Sequence, residues 1–183
     1  MNHLGVIIQK QISKRDIVLD VGCGIMQATM DTIKTQTPNK DLKCRAVLGI
    51  DAFVPYLERI KDRPGIMVIA ASVTDPDFWK QFLPNSFDVV LATDIIEHLN
   101  QNEATELIKQ CERIARKCVI LYTPVRFYDN SENTEGVKEY GIDSPNPLQR
   151  HKCLISEDYI KSQGYETSNI LDEGILGIKR YDR

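Results

Sequence analysis

The strongest constraint on this chain is an alternation. Five short apolar runs, at 17–21 (IVLDV), 46–50 (AVLGI), 66–70 (IMVIA), 87–92 (FDVVLA) and 118–122 (CVILY), are separated by longer polar or amphipathic stretches. Each run is rich in β-branched and aliphatic residues and lacks strict in–out alternation, which is how strands covered on both faces read. The clearest helix between them spans 102–117, where Leu107, Ile108, Cys111, Ile114 and Ala115 share one face at helical spacing. Glu103 and Glu106 open it and Arg116 and Lys117 close it, the polarity that a helix dipole favours. Weaker helices are expected at 26–34, 54–61 and 76–81, and 3–13 reads as a helix covering one edge of a sheet. Strand, helix and strand in repetition predict an α/β fold with a doubly wound, mostly parallel sheet. Residues 165–171 and 174–180 add a C-terminal antiparallel hairpin around Asp172-Glu173-Gly174, which brings the sheet to about seven strands.

With 183 residues the chain is long enough for one substantial core and short for two, so 1–183 is expected to be a single domain. The net charge is −3 and the basic residues are scattered, so nucleic acid is not an expected partner. The five cysteines (Cys23, Cys44, Cys111, Cys118, Cys153) are odd in number and contain no C-x-x-C pair. They read as reduced thiols rather than as a disulfide framework or a zinc site, which favours a cytoplasmic compartment. The apolar stretch at 4–8 is too short for a secretory signal, and no run approaches the length of a membrane span. One segment differs from the rest: 123–150 holds Pro124, Gly141, Pro145 and Pro147 and is crowded with Asp, Asn, Glu and Ser. A connection this long is usually functional or disordered. It follows the carboxyl end of the fifth strand, the side on which open α/β sheets bind ligands. We therefore read 123–153 as a substrate-side loop or cap.

Asp20-Val21-Gly22-Cys23-Gly24 closes the first strand. Alternate glycines let the backbone turn tightly and let a ligand approach it closely. Asp51 closes the second strand, where a carboxylate can accept hydrogen bonds from two ribose hydroxyls. Together they point to a nucleoside-containing ligand in the crevice. A dinucleotide site wants G-x-G-x-x-G, and here the last position is Gln27. Asp20 also sits awkwardly for a pyrophosphate and suits a cation, such as the sulfonium and ammonium of S-adenosylmethionine. Purely structural readings remain beside these: Asp20 as a turn-stabilising carboxylate, Asp51 as a helix cap.

The strings VLDVGCG, VLGIDAF, NSFDVVLATDIIEHL and VILYTPV resemble the class I, Rossmann-like S-adenosylmethionine-dependent methyltransferases of the type 11 kind. The resemblance runs over about 16–165 and is most specific at 20–24 and 87–99; 146–152 and Ser156-Glu157-Asp158-Tyr159 are similar to a subset of those enzymes. The resemblance implies an enzyme that uses S-adenosylmethionine. Asp20 would steer the methionine amine, directly or through water. Gly22, Cys23 and Gly24 would pass under the methionine and ribose, and Asp51 would hold the ribose hydroxyls. Ala52 or Phe53 would lie against the adenine, Ser72 and Val73 would read its edge, and Thr93 and Asp94 would line the methionine side. The chain departs from many relatives at Met26, where they have a third glycine, and at Ser72, where they have an acid. A hydroxyl still accepts a hydrogen bond there but offers no charge.

Methyl transfer from a sulfonium needs orientation above all, and a base where the acceptor is a hydroxyl or a protonated amine. The candidate bases are His98, just beyond the fourth strand, and His151, at the close of the polar segment; the structural alternatives are packing or capping of the following helix for His98, and an ordering contact within the loop or simple exposure for His151. Arg126, Phe127, Tyr128 and Tyr140 lie in the variable loop as substrate contacts or as cover for the sheet edge. No carboxylate–histidine cluster has ligand spacing, so a metal is not indicated. A DNA amino-methyltransferase would have an Asn/Asp-Pro-Pro-aromatic segment where this chain has Ala92-Thr93-Asp94-Ile95. The expected acceptor is a small molecule, a lipid or a sugar-type compound. The competing readings are a cofactor-binding scaffold, a subunit whose acceptor site needs a homodimer or protein partner, and a nicotinamide-dependent oxidoreductase.

Overall fold

The alternation is realised as a seven-stranded sheet in a computed structural model that describes residues 3–26, 29, 43–130, 136, 138 and 140–182. The strands are β1 (Ile17–Val21), β2 (Ala46–Asp51), β3 (Ile66–Ala70), β4 (Phe87–Thr93), β5 (Ala115–Pro124), β6 (Glu166–Ile170) and β7 (Gly174–Arg180). Their order is β3-β2-β1-β4-β5-β7-β6. The first five run parallel, and β7 lies antiparallel between β5 and β6. The chain moves outward from β1 through β2 to β3 and then crosses to β4 on the other side of β1. That reversal opens a crevice beyond the carboxyl ends of β1 and β4, the position where such sheets take ligands. Val21 is in register with both Ile50 and Ala92, so Gly22, Asp51 and Thr93 all emerge at this crevice.

The helices are α1 (His3–Gln11), α2 (Val54–Glu58), α3 (Pro76–Trp79), α4 (Gln101–Ile114) and α5 (Glu157–Ser162). Both faces of the sheet are covered, which explains why the central strands lack alternation. Leu19, Val21, Val90 and Val119 pack with Leu107, Ile108 and Cys111 of α4 and with Phe78 and Trp79 of α3. Val18, Val47, Val89 and Ile120, one residue out of phase, pack with Leu4 and Ile8 of α1 and with Leu57. α1 thus covers a face of the sheet rather than an edge, because Leu4, Ile8 and the following Ile12 form an apolar stripe that meets the central strands.

The helix expected over 102–117 ends earlier. α4 begins under a capping box, with Asn100 accepting from the Asn102 and Glu103 backbone N–H groups, and stops at Ile114. Ala115, Arg116 and Lys117 belong to β5 instead, where Ala115 is in register with Phe87. Arg116 pairs with Asp88, and Lys117 pairs with Asp16 at 2.5 Å. The basic pair therefore ties strand starts together at the end of the sheet opposite the crevice and does not serve the helix dipole. α2 and α3 are shorter than expected, and the helix expected at 26–34 lies almost wholly outside the described residues. Among the described residues, no helix is long and apolar enough to cross a membrane.

Candidate active site

The turn after β1 needs its glycines. Gly22 has φ +66° and Gly24 φ +52°, the left-handed region that side chains rarely adopt. A Cβ at Gly22 would also stand 2.7 Å from the Ile95 side chain. Asp51 links this turn to the one after β2: its Oδ2 accepts the Gly24 N–H at 2.8 Å and its Oδ1 accepts the Phe53 N–H at 2.8 Å. Burial pushes the Asp51 carboxyl up, and these N–H groups oppose the shift. Phe53, not Asp51, is the residue at the amino cap of α2. Met26, which stands where relatives have glycine, takes φ +56° itself while its side chain is buried in the core.

Asp20 lies beneath the turn, fully enclosed. Neither of its oxygens has a hydrogen-bond partner; the Thr29 hydroxyl is near enough to favour the charge without reaching bonding geometry. Burial pushes its carboxyl up to about 7, and the charge of Asp51 adds to the rise.

A cavity of about 460 Å³ opens above the turn. Gly22, Cys23, Gly24, Asp51 and Ala52 line one part of it, Ser72 and Val73 another, and Thr93, Asp94, His98 and His151 a third. Asp20 and Phe53 do not line it. The Phe53 ring stands edge-on to Tyr56 at 4.8 Å, and it is Tyr56 that borders the cavity, with Tyr140 packed on its other side at 5.6 Å. The Ser72 hydroxyl is engaged within its own loop, 2.8 Å from the Thr74 hydroxyl and 3.3 Å from the Thr74 N–H that donates to it. Asp94 adopts φ +52°, fixed by its N–H donating to the Tyr122 carbonyl at 2.9 Å, and burial pushes its carboxyl up to about 6.

Beyond Asp94 a single 3-10 turn, Ile96–His98, carries Glu97 and His98 inward. Glu97 Oε2 accepts the Thr123 hydroxyl at 3.1 Å; burial pushes the carboxyl up to about 8, with the charge of Asp94 adding to it. Burial pushes the His98 imidazole down to about 4, and the charge of His151 lowers it further. His151 is half-buried and lowered by the same cause. The two imidazole rings are 4.9 Å apart. The chain around His151 is clamped onto the turn: the Lys152 N–H donates to the Glu97 carbonyl at 2.7 Å, and Cys153 Sγ donates to the Ile96 carbonyl at 3.3 Å. Asn130 braces it from the other side, donating to the Gln149 carbonyl at 2.8 Å and accepting the His151 N–H at 2.9 Å. One ligating atom each of Glu97, His98 and His151 falls within 4.8 Å of the others. Spacing along the sequence did not reveal this group, because His151 reaches the turn only through the folded polar segment. Tyr56, Glu97 and Asn146 also line the cavity although the sequence reading singled out none of them. Glu97 was legible in principle, since it adjoins His98 at a strand end.

A glycine turn, an acid at the end of the neighbouring strand and a cavity at the switch point define the class I architecture of S-adenosylmethionine-dependent methyltransferases. The family model described as "Methyltransferase domain", of the type 11 kind, matches residues 19–123. The chain belongs to this methyltransferase family, whose cofactor is S-adenosylmethionine. Solved structures agree in fold. A SAM-dependent methyltransferase from Archaeoglobus fulgidus superposes with a TM-score of 0.65 at 12% identity, over 97% of this chain and 93% of that one. The N-terminal domain of EvdMO1, solved in the presence of SAH and D-fucose, gives 0.63 at 16% identity over 97% and 81%. The PH0226 protein from Pyrococcus horikoshii gives 0.64 at 15% identity over 95% and 85%. No curated protein matches the sequence.

Proposed function

We propose that this chain methylates a small-molecule, lipid or sugar-type acceptor, with 1–183 acting as one domain and 123–153 as the acceptor-side wall. The observation that carries this reading is that one continuous cavity joins the glycine turn to Glu97, His98 and His151. Its volume of about 460 Å³ suits one ligand of cofactor size with room for a reactive group beside it.

The residues fit the cofactor. Asp20 offers two enclosed oxygens without partners, which suits a cationic ligand above it. Gly22 and Gly24 leave the turn bare for close approach, and Asp51 keeps lone pairs for ribose hydroxyls after accepting two N–H groups. Ala52 and Tyr56 flank the adenine in this reading, Ser72 and Val73 border its edge, and Thr93 and Asp94 face the methionine portion. When bound, S-adenosylmethionine supplies a methyl group already activated on sulfur. The chain holds the acceptor in line and excludes water, which can contribute about 7–11 kcal/mol in favourable cases. Phe127 and Tyr128, half-exposed or more and 6.4 and 6.0 Å from the His151 ring, offer the acceptor an apolar rim. The same exposed rim, with Leu148 and Leu154, favours the second reading, in which a partner chain completes the acceptor site.

The test is label transfer from methyl-tritiated S-adenosylmethionine into a metabolite and lipid extract, beside a macromolecular fraction. Label in the small molecules supports the proposal. Label confined to protein or nucleic acid contradicts it.

A further inference from the structure

We propose that Glu97, His98 and His151 form a site for one divalent transition-metal ion at the far end of the cofactor cavity, and that the acceptor is an oxygen compound that binds this ion. The metal half stands on geometry alone. The acceptor half rests on the methyltransferase reading.

The three side chains present one carboxylate and two imidazoles, with one donor atom of each within 4.8 Å of the others. Donors that share an ion sit about 2.0–2.2 Å from it and hence no more than about 4.4 Å apart, so small side-chain rotations close the set. Glu97 is 2% and His98 9% exposed, so these donors are shielded from competing water. Nδ1 of both histidines is enclosed and has no hydrogen-bond partner. A buried imidazole nitrogen left bare needs a reason, and here two rings that each carry one also bring a donor atom within 4.8 Å of the buried Glu97 carboxylate. The His151 backbone is held by Asn130 and the neighbouring Lys152 and Cys153 N–H groups by Glu97, so the third donor is positioned rather than loose.

The charge balance agrees. Among the described residues neither Glu97 nor Asp94 forms an ion pair. Asp94 lies close enough to repel Glu97, while Lys152 is the neighbour whose charge opposes a cation at His98. Two imidazoles with one carboxylate favour zinc, iron, cobalt or nickel over calcium, magnesium or manganese, which suit oxygen-rich sets. Three protein ligands leave positions open toward the cavity that Glu97, His98 and His151 line together. An acceptor hydroxyl or a vicinal pair of hydroxyls fits those positions beside Asp94 and Thr93, where the methionine portion is assigned.

The test uses the full, tag-free chain stripped with EDTA and titrated with Co²⁺, followed by its visible d–d absorption, then displaced with Zn²⁺. S-adenosylhomocysteine affinity is measured on the same samples. One equivalent of Co²⁺ with nitrogen–oxygen bands is expected. His151→Ala, in a partly exposed segment, should weaken it at least about tenfold, with S-adenosylhomocysteine affinity unchanged. Glu97→Gln, nearly isosteric, is the second variant and should do the same. Absence of Co²⁺ and Zn²⁺ binding, or equal affinity in the wild type and both variants, overturns the site. If metal binds but S-adenosylhomocysteine does not, the site stands and the methyltransferase reading is what fails. Methyl transfer indifferent to EDTA and to added metal overturns the acceptor half.

Discussion

At one end of the cavity each group stands where a strand stops; at the other, the groups come from a turn and a distant loop that meet only in the folded chain. Gly22 follows β1, Asp51 ends β2 and Thr93 ends β4, and the register that aligns Val21 with Ile50 and Ala92 delivers them together. Glu97 and His98 sit on a 3-10 turn, and His151 arrives through contacts with Asn130 and with the Glu97 backbone. The difference separates two kinds of placement. The end proposed for the cofactor is fixed by the core of the sheet, so one backbone change there disturbs fold and binding together. The end proposed for the acceptor is fixed by local clamps, so it can vary while the sheet stays in place.

Variants can break this comparison, beginning with the most damaging. Gly22→Ala puts a Cβ 2.7 Å from Ile95 at φ +66°. It should cost about 3 kcal/mol of stability from strain and overpacking, read as a lower urea midpoint together with lost S-adenosylhomocysteine binding. A variant as stable as the wild type would mean that the turn is not held as described. His151→Ala should instead reduce turnover by about a hundredfold and leave S-adenosylhomocysteine affinity as it was; a parallel loss of affinity in calorimetry would move His151 into the cofactor end. Asp51→Ala should weaken S-adenosylhomocysteine binding by about 2 kcal/mol, roughly thirtyfold, the scale of lost charge-assisted hydrogen bonds. Unchanged affinity would remove the ribose assignment.

The mildest effect is one of pH. Burial pushes the Asp20 carboxyl up to about 7. In the proposed assignment the protonated carboxyl below that pH offers no charge to the ligand's ammonium, and the carboxylate above it does. Cofactor affinity should therefore rise with pH, by about tenfold from pH 6 to 8, and Asp20→Asn should flatten the profile. A slope that survives this substitution would assign the proton to another group.

The two ends also differed in how far the sequence revealed them. Gly22, Gly24 and Asp51 declare themselves because a strand end converts a position in the chain directly into a position in the crevice, whereas Asp20 lies enclosed beneath the turn and outside the cavity lining. The hairpin was legible for the same reason: Asp172-Glu173-Gly174 is a local signal, and Leu171 and Asp172 take positive φ in the turn that results. Three features escaped. The start of β5 was hidden because Arg116 and Lys117 look like a helix end until Asp88 and Asp16 are seen across the sheet. Tyr56, not Phe53, borders the cavity because α2 turns its own residues in. The Glu97, His98 and His151 group depends on how a long polar loop folds back, and no local periodicity encodes that.

The central claim is that the cavity above Gly22 and Asp51 is built for S-adenosylmethionine. Isothermal titration of the purified chain with S-adenosylhomocysteine, with NAD as the comparison, tests it most directly. The account predicts micromolar binding of S-adenosylhomocysteine and none of NAD. Failure to bind S-adenosylhomocysteine, or preference for NAD, would contradict it.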